Sequence, residues 1–496
     1  MKKCFLLVAI VLLTLGLGCL CLPTGIIPAS PSPTPHVNPT IIASPINPTI
    51  IASPNNPIIT ASPVVEPPVN NPVKLAAVGP WLLIETDQGL WAANADGSGL
   101  TQLTDVDYWD WHLQEAVQPG GNQVVFLSPA TYDDFHRMTL NLLSLPDGNI
   151  TKITDLTSPE TEAYADLARE DVSFEGLRAV KHKDYAWSPD GTRLAFVGLM
   201  DGPTAEIYLY DTKSGEIQRV STDNDQNYSP SWSPDGNSLL YFTTHGFGTG
   251  ATFETTGIWL ASGDGTNVTM LNVPESGIDE LVGWLDARTA VLKTWTSGGF
   301  GKLRLFDIIT TDTIMLSEDG ILCAEADSVR GAAMFAKTSG LYLVTVEDRT
   351  PVLVSQEEVG DIYPVDPGEY FFSVYFNNGS LATFGTSEMD HLVSPVEADS
   401  DKLEVAMYAW IWGWTNEDDS QPGVWITGPG IEIGQIFYEK ARLPIWDEDN
   451  NLFFFAFLEG YGYELFRTTF DAYYQDLAAL GSILGSVHVV TWLGGQ

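Results

Sequence analysis

YAWSPDGTRLAFVG at 185–198 and PSWSPDGNSLLYFT at 230–243 are two copies of one pattern, with Trp187 and Trp232 standing 45 positions apart. Each copy reads as a short strand ending at the tryptophan, a turn at Ser-Pro-Asp-Gly, and a second strand with apolar residues at alternate positions. Pro189 and Pro234 preset φ at the turn, and Gly191 and Gly236 accept the positive φ it needs. The pattern therefore builds hairpins, not helices. A second hairpin follows each time: AEIYLYDTKSGEIQRVS at 205–221, turning at Lys213 to Gly215, and GIWLASGDGTNVTMLN at 257–272, turning at Gly263 to Gly265. Four antiparallel strands per repeat cannot bury both faces alone, so this period predicts sheets stacked face against face in a ring.

Weaker copies keep the phase on both sides: 117–154, 282–317, 330–355, 363–394, 405–438 and 443–477. The segment 81–104 supplies three strands without a first one, and VHVVTWLG at 487–494 is a lone strand. Pairing those two segments would close the ring and remove its exposed edges. The fold class is thus all-β, a single propeller of four-stranded antiparallel sheets. Nine candidate units are present; because natural propellers typically stop at eight blades, eight are expected with one weak unit absorbed as an insertion, and seven and nine stay open.

The WSPDG turn followed by an apolar strand and a second hairpin resembles the repeat of TolB-type propellers, also called WD40-like PD40 repeats. Similar repeats form the propeller domain of prolyl-oligopeptidase and dipeptidyl-peptidase relatives. The likeness is close at 185–198 and 230–243 and recognisable across about 80–496. It implies that blade-connecting loops around a channel engage partner proteins. It also implies architectural roles for Trp187, Pro189, Asp190, Gly191, Trp232, Pro234, Asp235 and Gly236: the indoles pack between blades and the carboxylates cap their turns. Where the periplasmic family member carries a mixed α/β domain before its propeller, this sequence has a Pro-rich stretch, which puts a shared partner in doubt.

The chain divides into 1–22, 23–78 and 79–496. Lys2 and Lys3 precede an apolar run from Phe5 to Leu22, the order of an export signal, and the run also approaches the length of a bilayer span. Cys19, after Leu17 and Gly18, resembles the lipobox cysteine of bacterial lipoproteins, although Gly16 stands where that pattern usually has Leu. The implied product is lipidated at Cys19 and attached outside the cytoplasm; an uncleaved anchor or a secreted product are the alternatives. Residues 39–65 hold three tandem nonapeptides, PTIIASPIN, PTIIASPNN and PIITASPVV. Proline at this density prevents helix and sheet ladders, so 23–78 reads as a disordered, extended spacer.

The formal net charge is -41. A nucleic acid or an anionic membrane surface would be repelled by that field, leaving the N-terminal lipid or anchor as the only membrane contact. Four cysteines, of which Cys4, Cys19 and Cys21 lie at the N-terminus and Cys323 stands alone, make no disulfide framework.

No catalytic constellation is legible. The G-x-S-x-G elbow that a peptidase relative would need does not occur. His36, His112, His136, His182, His245, His391 and His488 are scattered without metal-ligand spacing. The acidic groups Asp105, Asp107 and Asp110, then Asp223 and Asp225, then Asp447, Glu448 and Asp449 read as solvated turns, with structural calcium as an alternative and no other cofactor or metal expected. Aromatic residues give the binding candidates: Tyr108, Trp109 and Trp111 in a polar loop, and Trp412 and Trp414 in the alternating run from Tyr408 to Trp414. Such rings can stack on sugars or clamp a peptide. The segment 156–183 is an insertion expected to carry a short helix. The expected function is a non-catalytic, envelope-attached binding scaffold for protein or glycan partners; the alternative is a carbohydrate-active or other hydrolytic enzyme using carboxylates at the channel.

Overall fold

The computed structural model describes residues 74–494 outside the stretches 105–112, 129–137, 158–184 (where 176, 179 and 180 are described), 247–253, 273–276, 296–300, 365–371, 378–379, 385–388, 394–402, 409–410, 417–421, 429–430, 459–461, 470–476 and 484–485. The calls on the signal, on Cys19 and on the spacer up to residue 73 lie outside the described residues.

Strands β1 (Trp81–Thr86), β2 (Gly89–Asn94) and β3 (Thr101–Gln102) are followed by one short helix, α1 (Leu113–Ala116), and a three-stranded sheet of β4 (Gln123–Ser128), β5 (Thr139–Ser144) and β6 (Asn149–Asp155). The next two sheets are β7 (Tyr185–Trp187), β8 (Arg193–Gly198), β9 (Glu206–Asp211), β10 (Ile217–Arg219), and β11 (Gln226–Trp232), β12 (Ser238–Thr244), β13 (Thr255–Ser262), β14 (Val268–Asn272). A seven-stranded sheet then runs β15 (Ile278–Trp284), β16 (Thr289–Trp295), β17 (Gly301–Asp307), β18 (Thr313–Asp327), β19 (Ala332–Lys337), β20 (Gly340–Thr345) and β21 (Val352–Ser355). Three four-stranded sheets complete the order: β22 (Val359–Pro364), β23 (Phe372–Phe376), β24 (Ser380–Phe384), β25 (Met389–Val393); β26 (Leu403–Tyr408), β27 (Ile411–Asn416), β28 (Gly423–Gly428), β29 (Ile431–Phe437); and β30 (Ala441–Trp446), β31 (Asn451–Leu458), β32 (Gly462–Thr469), β33 (Ala478–Ile483). The last strand, β34 (Val487–Leu493), returns to β1.

That return is the expected closure. β34 pairs antiparallel with β1 from Trp81↔Leu493 to Thr86↔Val487, so the first sheet takes one strand from the far end of the chain and three from its near end. Eight hydrogen-bonded sheets result among the described residues. The seven-stranded one holds two of the nine repeat units, because β18 pairs with β17 through Thr313–Ser317 and then with β19 through Ile321–Asp327. The units at 282–317 and 330–355 are thus joined through a shared strand.

Packing explains a difference from the alternating pattern read in the sequence. Leu194, Ala195, Phe196 and Val197 on β8 are all buried, as are Leu239, Leu240, Tyr241 and Phe242 on β12. A sheet covered on both faces needs apolar residues on both, so its inner strands read as continuous runs. The last strand of a unit sees water instead: Ile150, Met270, Ile314 and Val352 are exposed there. The run around Tyr408 also folds differently. It is two strands, β26 and β27, paired antiparallel from Leu403↔Asn416 to Tyr408↔Ile411. Gly176, Ala179 and Val180 of the insertion are helical and buried, and the rest of the expected helix lies outside the described residues.

Candidate functional site

The tryptophans of the repeat tie each unit to the previous one. Trp187 Nε1 donates to Ala116 O at 3.0 Å, Trp232 Nε1 to Ala186 O at 3.0 Å, and Trp284 Nε1 to Ser231 Oγ at 3.2 Å. The rings themselves are buried, Trp187 to 8 % and Trp232 to 6 % exposure. A buried indole N–H left without an acceptor would cost a desolvation penalty, so each bond fixes the register between sheets.

The turns after those tryptophans are built alike. Asp190 Oδ1 accepts the Ser188 hydroxyl at 2.7 Å and the Thr192 amide at 3.1 Å; Asp235 Oδ1 accepts Ser233 at 2.6 Å and the Asn237 amide at 3.1 Å. Gly191 (φ 64°) and Gly236 (φ 68°) close the turns in the left-handed region. A third copy at Ser262 to Asn267 repeats the bonds, with Asp264 accepting Ser262 at 2.6 Å. Hydrogen bonding, the serine hydroxyl foremost, holds Asp190 and Asp235 below the ordinary carboxylate range and Asp264 at about 2. Asp447 does the same work elsewhere, accepting the amides of Asp449 and Asn451, so this acidic group is a capped turn. These turns share one end of the sheets: Thr212 N donates to Thr192 O and Gly263 N to Asn237 O, joining the two hairpin turns of each unit.

The opposite end, where β8 runs to β9 and β10 to β11, carries a different chemistry. Glu206 opens β9 and is 1 % exposed. Its carboxylate accepts Arg219 Nη2 at 2.6 Å, Thr204 Oγ1 at 2.7 Å, Ser221 Oγ at 2.5 Å and Asn227 Nδ2 at 3.1 Å. Asn227, on the next sheet, also donates to Ala205 O at 3.0 Å, so it stitches the seam between the two sheets. Asp223 Oδ1 accepts the Asp225 amide at 2.9 Å; Asp225 in turn binds His245 Nδ1 at 2.7 Å and accepts Thr256 Oγ1 at 2.7 Å. Burial pushes Glu206 up to about 7 against the lowering donations of Ser221, Thr204 and Arg219. Burial is also the first cause raising Asp223, with repulsion from Asp225 adding to it against the lowering backbone bonds. The next seam is charged but balanced: Asp279, fully buried, accepts Arg304 Nη2 at 2.9 Å and Thr294 Oγ1 at 2.5 Å, while its amide donates to Thr255 Oγ1 at 2.7 Å.

The aromatic candidates are not brought to this seam by anything described. Tyr108, Trp109 and Trp111, with Asp105, Asp107 and Asp110, lie outside the described residues. Trp412 and Trp414 fall on β27, opposite Thr427 and Trp425, and their side chains lie outside what is described. Among the histidines, His245 sits at the seam with an exposed ring, and His488 lies on β34. The sequence reading singled out Asp223 and Asp225 but missed Glu206, Asn227 and Tyr241. The signal available was the spacing Asp223-x-Asp225-x-Asn227.

No family model matches the chain. A crystal structure of the eukaryotic initiation factor superposes with a TM-score of 0.54 at 10% identity, covering 84% of this chain and 98% of that one, which shows a shared fold and no more. Among curated proteins, the Tol-Pal system protein TolB of Alcanivorax borkumensis is 29% identical over 133 residues, 26% of this chain and 30% of that protein. The chain carries a TolB-like β-propeller. The uncharacterized peptidase YuxL of Bacillus subtilis is 42% identical over 66 residues, 13% of this chain and 10% of that protein. The TolB-like chain therefore spans less than a third of the length of either relative. No helix among its described residues is long and apolar enough to cross a membrane.

Proposed function

We propose that this TolB-like propeller is a binding scaffold attached to the cell envelope outside the cytoplasm, lipidated at Cys19 and held off the membrane by its Pro-rich spacer. Its partner is a protein or a glycan. The observation that carries the reading is the unlikeness of the two ends of the sheets: one is spent on repeated Asp-capped turns, the other gathers Glu206, Asp223, Asp225, His245 and Thr256 from two neighbouring sheets. Loops held on a rigid ring are where such a fold places its specificity. Trp412 and Trp414, with the Tyr108, Trp109 and Trp111 loop, are proposed as contact residues on the same grounds of chemistry.

A photo-crosslinking residue placed in the full chain at His245, and separately at Lys213 on the opposite end, tests this in intact cells. A discrete crosslinked product from position 245 and none from 213 is expected; equal labelling from both would contradict the reading. The second reading, a hydrolase, is favoured by the 66-residue match to a peptidase. It predicts turnover of peptide or glycoside substrates by the purified chain, lost on Asp225→Asn.

A further inference from the structure

Three acidic side chains, Glu206, Asp223 and Asp225, meet at the seam between the sheets of β7–β10 and β11–β14, with the Arg219 guanidinium bound to Glu206 and the His245 ring to Asp225. The sequence there is Asp223-Asn-Asp225-Gln-Asn227, oxygen-bearing side chains at every second position. That spacing is the one by which the opening of a calcium loop presents successive oxygens to a single ion. An acidic loop of this kind is by itself a solvated turn, and a separate observation is needed to make it more.

The buried atoms beside it supply one. Asn227 is 0 % exposed and its Nδ2 is surrounded by oxygens, yet its Oδ1 has no hydrogen-bond partner. Asp223 Oδ2 is likewise buried and unpartnered. Tyr241, 0 % exposed on β12, has an unpartnered hydroxyl in the field of Asp223 and Glu206, both of which add to the burial that raises its pKa. Buried polar atoms without partners are costly, and three at one seam mark a place that a bound species satisfies. Two are acceptors beside clustered negative charge, which suits a cation.

We propose that Asp223, Asp225 and Asn227, backed by Glu206, form a binding site for a calcium-type divalent cation at this seam. The donor set is oxygen only: carboxylates, an amide carbonyl and the Ala205 and Asp225 backbone carbonyls that already face Asn227. No three His, Cys, Asp or Glu side chains stand in metal-holding geometry among the described residues, so the amide and backbone oxygens must complete the shell. A large, hard ion with flexible coordination tolerates that mixture; zinc, which prefers nitrogen and sulfur, does not. Through Asp225, which binds His245 and Thr256, the ion would order both ends of the β12 to β13 connection. The site stands whichever partner the propeller binds.

The test is thermal unfolding of the full chain after EDTA treatment, with calcium or magnesium chloride at about 1 mM and matched ionic strength. Calcium is expected to raise Tm by several degrees where magnesium does not, and Asp223→Asn to abolish the shift. Asp264→Asn, a turn carboxylate elsewhere, is expected to keep it. Asp225→Asn, which removes a charge from a partly exposed place in the shell, is expected to weaken calcium binding about tenfold by titration calorimetry, and it decides the matter if Asp223→Asn does not fold. Three results would each overturn the proposal: no calcium-specific shift in the parent chain, which leaves the seam filled by water alone; a shift retained in Asp223→Asn; or an Asp225→Asn variant that binds calcium as tightly as the parent.

Discussion

At the scale of the residue, the tryptophan that ends a first strand works twice, as buried surface and as a donor to the preceding unit. Trp232→Phe keeps most of the surface and loses only the bond to Ala186 O, so it should cost about 1 kcal/mol in urea unfolding. Trp232→Ala also leaves a cavity and should cost about 3–5 kcal/mol. The two turn glycines separate conformational strain from crowding. A Cβ on Gly236 would meet only Pro189 Cδ at 3.6 Å, so Gly236→Ala should cost about 1–2 kcal/mol for the left-handed backbone alone. The same atom on Gly191 would stand 2.4 Å from Pro119 O, and Gly191→Ala should therefore unfold at lower urea than Gly236→Ala. Equal midpoints for the two would show that the third sheet does not press on the second as described.

At the scale of the element, the hairpin turn is a charged device and responds to acid. Asp190, Asp235 and Asp264 are all held below the ordinary carboxylate value of 3.8 by their turns. Asp307 is held at about 2 by Arg288 and the amides of Thr310 and Ile309, against the burial that opposes them. A carboxylate with a depressed folded pKa contributes stability that is present above its unfolded value and lost as pH falls through the folded one. The melting temperature should therefore drop steeply between about pH 4 and pH 2, and Asp307→Asn should flatten that limb while lowering stability at neutral pH. A variant with an unchanged acid limb would contradict the turn chemistry. Such turns were legible in the sequence because all their bonds are local: serine, aspartate and glycine within six positions dictate them. The seam of Glu206, Asp223, Asn227 and Tyr241 was not, because it joins β9, β11 and β12 and exists only once two sheets are stacked. The hairpin between Tyr408 and Ile411 escaped for a different reason, since the sequence Tyr408-Ala-Trp-Ile411 holds no turn residue and the glycine of that run, Gly413, lies inside β27.

At the scale of the whole molecule, the first sheet is completed by the last strand, and shared apolar clusters join the sheets from β30–β33 through β1–β3 round to β22–β25. The orphan strands at the two ends of the repeat array made that closure readable without coordinates. The number of sheets was less readable, because β18 runs through two units without the break that normally separates them. The most direct measurement is a cysteine pair, Ile84→Cys with Val490→Cys, placed at facing positions of β1 and β34. Closure predicts a single intramolecular disulfide between these two residues, identified by peptide mass mapping, and a higher melting temperature when it is oxidised. A pair that stays reduced, or that links only separate molecules, would contradict the closed ring.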